Sequence, residues 1–241
     1  MKVIIAENYE EASKKAYEVM KKVVAKKDAI LGLATGSTPI GLYKCMIEDY
    51  EKGNVSYKDI HTGTLDEYIG QGVGDEQSYV EFMRNNLFNH IDIDLKNTDL
   101  PCGVAKDMQA ECDRYNKKLH SIEVDIQVLG IGSNGHIGFN EPNTPFGSET
   151  HVVDLTANTI KDNARFFKSI DEVPTQAISM GVKNVMNAKS ILLIATGANK
   201  ADAVKATIEG PVTEKVPASV LQLHPNCVIV LDKAAASKLS K

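Results

Sequence analysis

Short apolar runs at residues 2–6, 29–34, 60–65, 126–131, 177–180, 191–195 and 228–231 alternate with longer segments of helical period. Most of these runs are apolar on both faces, so each strand must be covered from both sides. Helices between successive strands act as right-handed crossovers, which build a parallel sheet. The pattern therefore predicts an α/β fold: a three-layer, doubly wound, mainly parallel sheet with helices on both faces, Rossmann-like. Such sheets bind ligands outside the carboxyl ends of their strands.

Local helix signals agree. Asn8 with Glu11 makes a capping box before a helix over 11–27, Thr38 followed by Pro39 caps and opens 40–52, and Ser78 with Glu81 starts 79–89. Further helices are expected at 108–122, 157–165, 200–209 and 234–239. No internal repeat, low-complexity tract or Pro/Ser-rich linker interrupts the chain, so residues 1–241 are read as a single domain.

A net charge of -5 with scattered Lys and Arg argues against nucleic acid and anionic membrane surfaces, which reward clustered cations, and leaves room for a small anionic ligand. The first apolar run is too short for a signal peptide and no later one spans a bilayer, which places the protein in the cytoplasm. Cys45, Cys102, Cys112 and Cys227 show neither C-x-x-C spacing nor a neighbouring His at zinc-ligand spacing, so they are expected to be reduced packing residues.

The residues able to do chemistry fall after predicted strands. Thr35-Gly36-Ser37-Thr38-Pro39 carries a strand through a hydroxyl-rich turn into a helix, exposing backbone N–H groups and the positive helix end that attract phosphate; it lacks the Walker spacing. Thr64-Leu65-Asp66-Glu67-Tyr68 ends a strand in two acids. Side-chain alternation sends them different ways, so at most one lines a cleft. Gly130, Gly132 and Gly135 match a dinucleotide-binding fingerprint, but Gly138, Asn140, Pro142 and Pro145 deny it the required helix, which argues against a nicotinamide enzyme. The same loop offers His136 and Glu141, a pair suited to proton transfer because a carboxylate orients an imidazole and supports its cation. Lys200, where a strand gives way to a helix, and Arg165 can serve a phosphate.

Leu65-Asp66-Glu67-Tyr68, His136-Ile137-Gly138-Phe139-Asn140-Glu141-Pro142, Ala164-Arg165-Phe166-Phe167 and Leu221-Gln222-Leu223-His224 occur in the order found in the glucosamine-6-phosphate deaminase family, which the chain resembles over essentially its whole length. The related 6-phosphogluconolactonases share the Thr-Gly-Ser-Thr-Pro turn and the Gly-His loop. The Asp66 and Glu141 motifs look like the deaminase versions. Sugar-phosphate-sensing domains of transcription regulators share the fold, but normally follow a DNA-binding helix-turn-helix, and this sequence begins with its first strand.

The resemblance implies isomerisation and deamination of glucosamine 6-phosphate to fructose 6-phosphate and ammonia, in amino-sugar catabolism, with no metal and no cofactor. By that analogy His136, supported by Glu141, opens the sugar ring and Asp66 removes the C2 proton. Gly36, Ser37, Thr38, Arg165 and Lys200 match the phosphate-binding positions. Two departures stand out. Asn134 replaces the Asp found two residues before the catalytic His in the hexameric branch; an amide hydrogen-bonds without raising the imidazole pKa as a carboxylate does. Ser148-Glu149-Thr150-His151-Val152-Val153 holds no Arg or Lys where the allosteric hexamers bind an activator phosphate. The expectation is a non-allosteric enzyme of a shorter branch, with a monomer favoured over a homo-oligomer.

Overall fold

The computed structural model describes residues 1–240, apart from the side chains of Asn158, Asp162 and Phe166. In chain order the elements are β1 (Lys2–Ala6), α1 (Tyr9–Val24), β2 (Ile30–Leu33), α2 (Ile40–Glu51), β3 (His61–Thr64), β4 (Asp66–Tyr68) and α3 (Tyr79–Asn86). There follow β5 (Thr98–Asp99), α4 (Met108–Ser121), β6 (Ile126–Leu129), β7 (His151–Asp154), α5 (Ala157–Asn163) and β8 (Gln176–Ser179). The chain continues through α6 (Val182–Met186), β9 (Ile191–Ala195), α7 (Ala201–Glu209) and β10 (Cys227–Asp232).

Seven strands form a sheet in the order β1-β10-β9-β6-β2-β3-β5, every pair parallel. From β2 the chain builds outward through β3 to β5, then returns to the other side of β2 with β6. That reversal makes the β2/β6 boundary the topological switch point, where a crevice opens at the carboxyl ends. β9 lies between β10 and β6, and all five of its residues are buried. This central position explains its unbroken apolar run, in which each fully buried Leu or Ile contributes about 1.5–3 kcal/mol. Helix α1 follows the same logic at period 3.6: Ala12, Ala16, Met20 and Val23 form its buried face.

Several expectations are corrected. Residues 177–180 do not join the parallel sheet; β8 pairs antiparallel with both β4 and β7 in a separate three-stranded sheet. Helix α5 and the turns after it return the chain so that β8 runs back along β7 and pairs with it antiparallel. No helix forms over 234–239. The Asp232 carboxylate takes the amide of Ala235 (2.7 Å), and a succession of turns follows, in a segment too short to repay helix nucleation. Pro39, with no side-chain cap, occupies the N-cap of α2 in place of Thr38. Asn8 does cap α1 by accepting from Glu11 N (2.9 Å), but the Glu11 carboxylate reaches Glu7 N instead of Asn8 N. Among the described residues no helix is long and apolar enough to cross a membrane.

Candidate active site

The segments after β2, β3, β6 and β9 and the last residue of β10 reach the same edge of the sheet and line a cleft of about 960 Å³. The five predicted phosphate residues, Gly36, Ser37, Thr38, Arg165 and Lys200, line it together with Asp66 and His136. Glu141 touches the imidazole from outside that lining, and Asn134 bonds Glu141.

The turn 35–38 is held from beneath and from the side. Tyr43, fully buried, donates to Ala34 O (2.5 Å) and accepts from Ala34 N (3.2 Å), fixing the end of β2. The Tyr9 hydroxyl accepts from Gly41 N (2.7 Å) and donates to Ser37 O (3.1 Å), tying the turn to the first residues of α2. Gly36 sits at φ 81°, a left-handed conformation that glycine adopts without strain. Arg165, in the 3₁₀ turn after α5, donates from Nη2 to Ser37 Oγ (3.4 Å), so a cation and a hydroxyl from distant segments meet at one point. Lys200 ends the 3₁₀ turn Ala198–Lys200 that leads into α7. Asp232 steadies that turn by accepting from Gly197 N (3.1 and 3.0 Å).

Asp66 and Glu67 diverge as strand alternation requires. Asp66 faces the cleft, 5% exposed, and its Oδ1 is buried without a hydrogen-bond partner. Glu67 turns the other way and accepts from the amides of Tyr68 (2.9 Å), Tyr79 (2.8 Å) and Val80 (3.0 Å), satisfying two of the orphan N–H groups that open α3. Burial, reinforced by the neighbouring Glu67, pushes the Asp66 carboxyl up to about 8 against a hydrogen bond from Thr35. Burial also lifts Glu67, opposed by its three amide bonds.

The loop after β6 builds the second group. No helix opens at Gly135, which removes the dinucleotide-binding reading. Asn140 instead anchors the loop, donating to Ile137 O (2.9 Å) and Met180 O (2.8 Å). The imidazole of His136 lies over Gly132, where a Cβ would stand 2.3–2.6 Å from ring atoms; only glycine leaves room for the ring. His136 Nδ1 is 3.5 Å from Glu141 Oε2, a separation that makes an ion pair whenever the imidazole carries its proton. Asn134 donates to Glu141 Oε2 (2.7 Å) and accepts from the backbone N–H of His136 (3.2 Å), so it orients the dyad through the carboxylate and the main chain. At the other oxygen, Oε1, the hydroxyls of Thr156 (3.2 Å) and Thr159 converge. Burial acts to raise the Glu141 pKa, but the His136 contact with the Thr159 and Asn134 bonds outweighs it and draws the carboxyl down to about 2.

Sequence reasoning missed Thr156 and Thr159, which belong to the N-terminus of α5 and carry no motif beyond a Thr cap. It also missed the aromatic wall of Tyr68, Tyr79, Phe139 and Phe167, whose ring centroids lie 4.7–6.2 Å apart. These rings make the satellite core beneath the cleft, and only the packing of the three-stranded sheet brings them together.

A hydroxyl-rich turn, two cations, a buried carboxyl and a carboxylate-backed imidazole around one cleft define an acid–base site suited to a small phosphorylated molecule on a doubly wound scaffold. The chain belongs to the glucosamine-6-phosphate isomerase/6-phosphogluconolactonase family, whose model matches residues 6–230. It is 53% identical over 239 residues to a glucosamine-6-phosphate deaminase of Thermoanaerobacter pseudethanolicus, covering 98% of this chain and 94% of that one. To the corresponding deaminase of Clostridium novyi it is 51% identical over 241 residues, covering 99% and 100%. A solved structure described as a monomeric glucosamine-6-phosphate deaminase superposes with a TM-score of 0.96 at 45% identity, covering 98% of this chain and 99% of that one. The 6-phosphogluconolactonase of Leishmania guyanensis shares the fold, with a TM-score of 0.77 at 21% identity, covering 100% and 99%.

Proposed function

We propose that this chain converts glucosamine 6-phosphate and water to fructose 6-phosphate and ammonia, in the cytoplasm and as part of amino-sugar breakdown. The observation that carries the reading is an unlike pair of carboxyls serving one cleft, Asp66 in its lining and lifted by burial, and Glu141 held ionised behind the cleft-lining His136. Environments that drive two titratable groups apart mark different roles in proton transfer. Full-length relatives at about half identity that carry the deaminase name support it.

In this scheme the turn 35–38 with Arg165 and Lys200 grips the phosphate, and that remote binding aligns C1 and C2 with the bases. His136, its charge balanced by Glu141, moves the proton from the C1 hydroxyl to the ring oxygen and opens the ring. Asp66 in its ionised form takes the C2 proton, which the C1 aldehyde and the C2 ammonium acidify; the electron pair forms the C1–C2 double bond, and an ammonium proton passes to the aldehyde oxygen to give the enolamine. Proton return to C1 leaves an iminium at C2; water adds there and ammonia departs.

The same reading extends to assembly. The structure at 45% identity is described as monomeric, and here Glu149, in the stretch without Arg or Lys, pairs with Lys183 (2.7 Å) and His120 (3.1 Å). A carboxylate already engaging Lys183 and His120 does not invite an effector phosphate. Hyperbolic kinetics unaffected by N-acetylglucosamine 6-phosphate are expected; a sigmoidal curve straightened by that compound would overturn this part.

The reaction is tested by following ammonia and fructose 6-phosphate from glucosamine 6-phosphate with purified protein. Equal release of both is the expected result. Absence of release, with hydrolysis of 6-phosphogluconolactone instead, would move the chain to the lactonase side of its family.

A further inference from the structure

One buried oxygen in the cleft has no hydrogen-bond partner in the protein. The Thr35 hydroxyl supports the Asp66 carboxyl, but among the described residues Oδ1 itself is left without a partner, although the residue is 95% buried and lines the site. Buried polar atoms are almost always satisfied, so an orphan acceptor facing a cleft points to a donor on the ligand. The groups that face it narrow the kind of donor. Glu67 lies beside it on β4, and Tyr68 from β4 and Tyr79 from α3 line the cleft with it, while the phenols of Tyr43 from α2 and Tyr115 from α4 lie behind it, donating to Ala34 O and Thr64 O. His136 lines the same cleft from the loop after β6, with Glu141 at its back. With an acid beside it and neutral hydroxyls as its other polar neighbours, this position favours a cationic donor over a neutral one.

Resting on the substrate reading above, we propose that Asp66 is the residue that selects a protonated amine at C2, Oδ1 holding the ammonium while Oδ2 faces the C2 proton. In the free enzyme the buried acid keeps its proton near neutral pH and is no base. Arrival of the ammonium exchanges that proton for an ion pair: Asp66–COOH and R–NH₃⁺ become Asp66–COO⁻···H₃N⁺–R, and one H⁺ leaves to solvent. The substrate's charge thereby switches on the base that attacks it. A hexose phosphate with a C2 hydroxyl, or one with an uncharged acetamide, fills the phosphate turn but leaves Asp66 protonated and idle. Discrimination thus falls on reaction as well as on binding.

The test compares two ligands with no C1 aldehyde, and hence no turnover: 2-amino-2-deoxyglucitol 6-phosphate and glucitol 6-phosphate. Each is titrated calorimetrically at pH 7 in buffers of different ionisation enthalpy. Both carry the same phosphate, so its protonation cancels in the difference. Wild type should release close to one proton more with the amino ligand, which should also bind about 10–100-fold tighter, the range for a charge-assisted hydrogen bond. In Asp66→Asn both differences should vanish while glucitol 6-phosphate binds as before. Equal proton release by the two ligands in wild type would overturn the inference with the deaminase reaction still standing, and needs no variant. Retention of the amine preference by a folded Asp66→Asn would overturn it too. Failure of wild type to bind either ligand would remove the substrate assignment itself, and the inference with it.

Discussion

Asp66 and Glu141 are both buried carboxyls at the carboxyl edge of one sheet, yet their surroundings treat them in opposite ways. Asp66 stands on a short strand between a second acid and several phenols, with one oxygen unpartnered, and its pKa rises to about 8. Glu141 lies in a loop whose side chains converge on it, with Thr156, Thr159, Asn134 and His136 all in contact, and its pKa falls to about 2. Burial is common to both and pushes both upward. What separates them is whether the protein supplies donors, or leaves that task to the ligand. The loop is built to keep a charge, and the strand to acquire one.

That contrast is broken most severely at Asp66. Asp66→Asn, isosteric and unable to accept the C2 proton, should lower kcat by about 10³–10⁴-fold, in the upper range for loss of a positioned base. Steady-state ammonia release measures it, and a fall of less than tenfold would show that another group is the base.

Removing the permanent charge is expected to cost less. Glu141→Gln retains a hydrogen-bonding side chain but no anion for His136, and kcat should fall about 10²-fold with a changed pH–rate profile. An unchanged profile would mean that His136 does not depend on Glu141.

The hydroxyl behind Glu141 sharpens the comparison further. Thr159→Val removes one donor to Oε1 and should reduce kcat about tenfold and raise the acid limb of the profile, since a carboxylate with fewer donors has a higher pKa. Thr159→Ser should restore both; equal behaviour of the Val and Ser variants would reduce the hydroxyl to a packing role.

The smallest effects lie in stability and carry opposite signs. Glu141 has a depressed folded-state pKa, so its stabilisation is present above the unfolded value near 4.3 and is lost as pH falls through about 2. Asp66 has a raised one, so its contribution is full below about 3.9 and is lost as pH rises through about 8. Glu141→Gln should therefore be less stable than wild type at pH 6, by on the order of 1–2 kcal/mol, and converge with it in acid. Asp66→Asn should gain on wild type between pH 4 and 8, by a similar order of magnitude. Denaturant unfolding across that range reads both, and parallel curves for either variant would contradict the assigned state of that carboxyl.

Much of this was legible in the chain because it depends on local pattern. Runs apolar on both faces marked the parallel strands, and the Gly36 turn and the His136–Glu141 loop each follow one of them directly. Alternation alone separated Asp66 from Glu67. The unread parts depend on partners distant in sequence. Asp66-Glu67-Tyr68 and His151-Val152-Val153-Asp154 are too short and polar to announce strands, and become β4 and β7 only because β8 pairs with both. Thr159 reads as an ordinary helix residue until α5 is seen against Glu141. Residues 234–239 show the converse, a helical composition with an N-cap-like start at Asp232 in a segment too short to repay nucleation.

The contrast between the two carboxyls is measured most directly by a carbon-13 titration of the free protein labelled at aspartate and glutamate side-chain carboxyls. Asp66→Asn and Glu141→Gln supply the assignments. A carboxyl lost in Asp66→Asn that titrates near pH 8, with one lost in Glu141→Gln still ionised at pH 3, is the predicted result. An Asp66 resonance titrating near pH 4 would contradict the account, because the base would then be ionised before any substrate arrived.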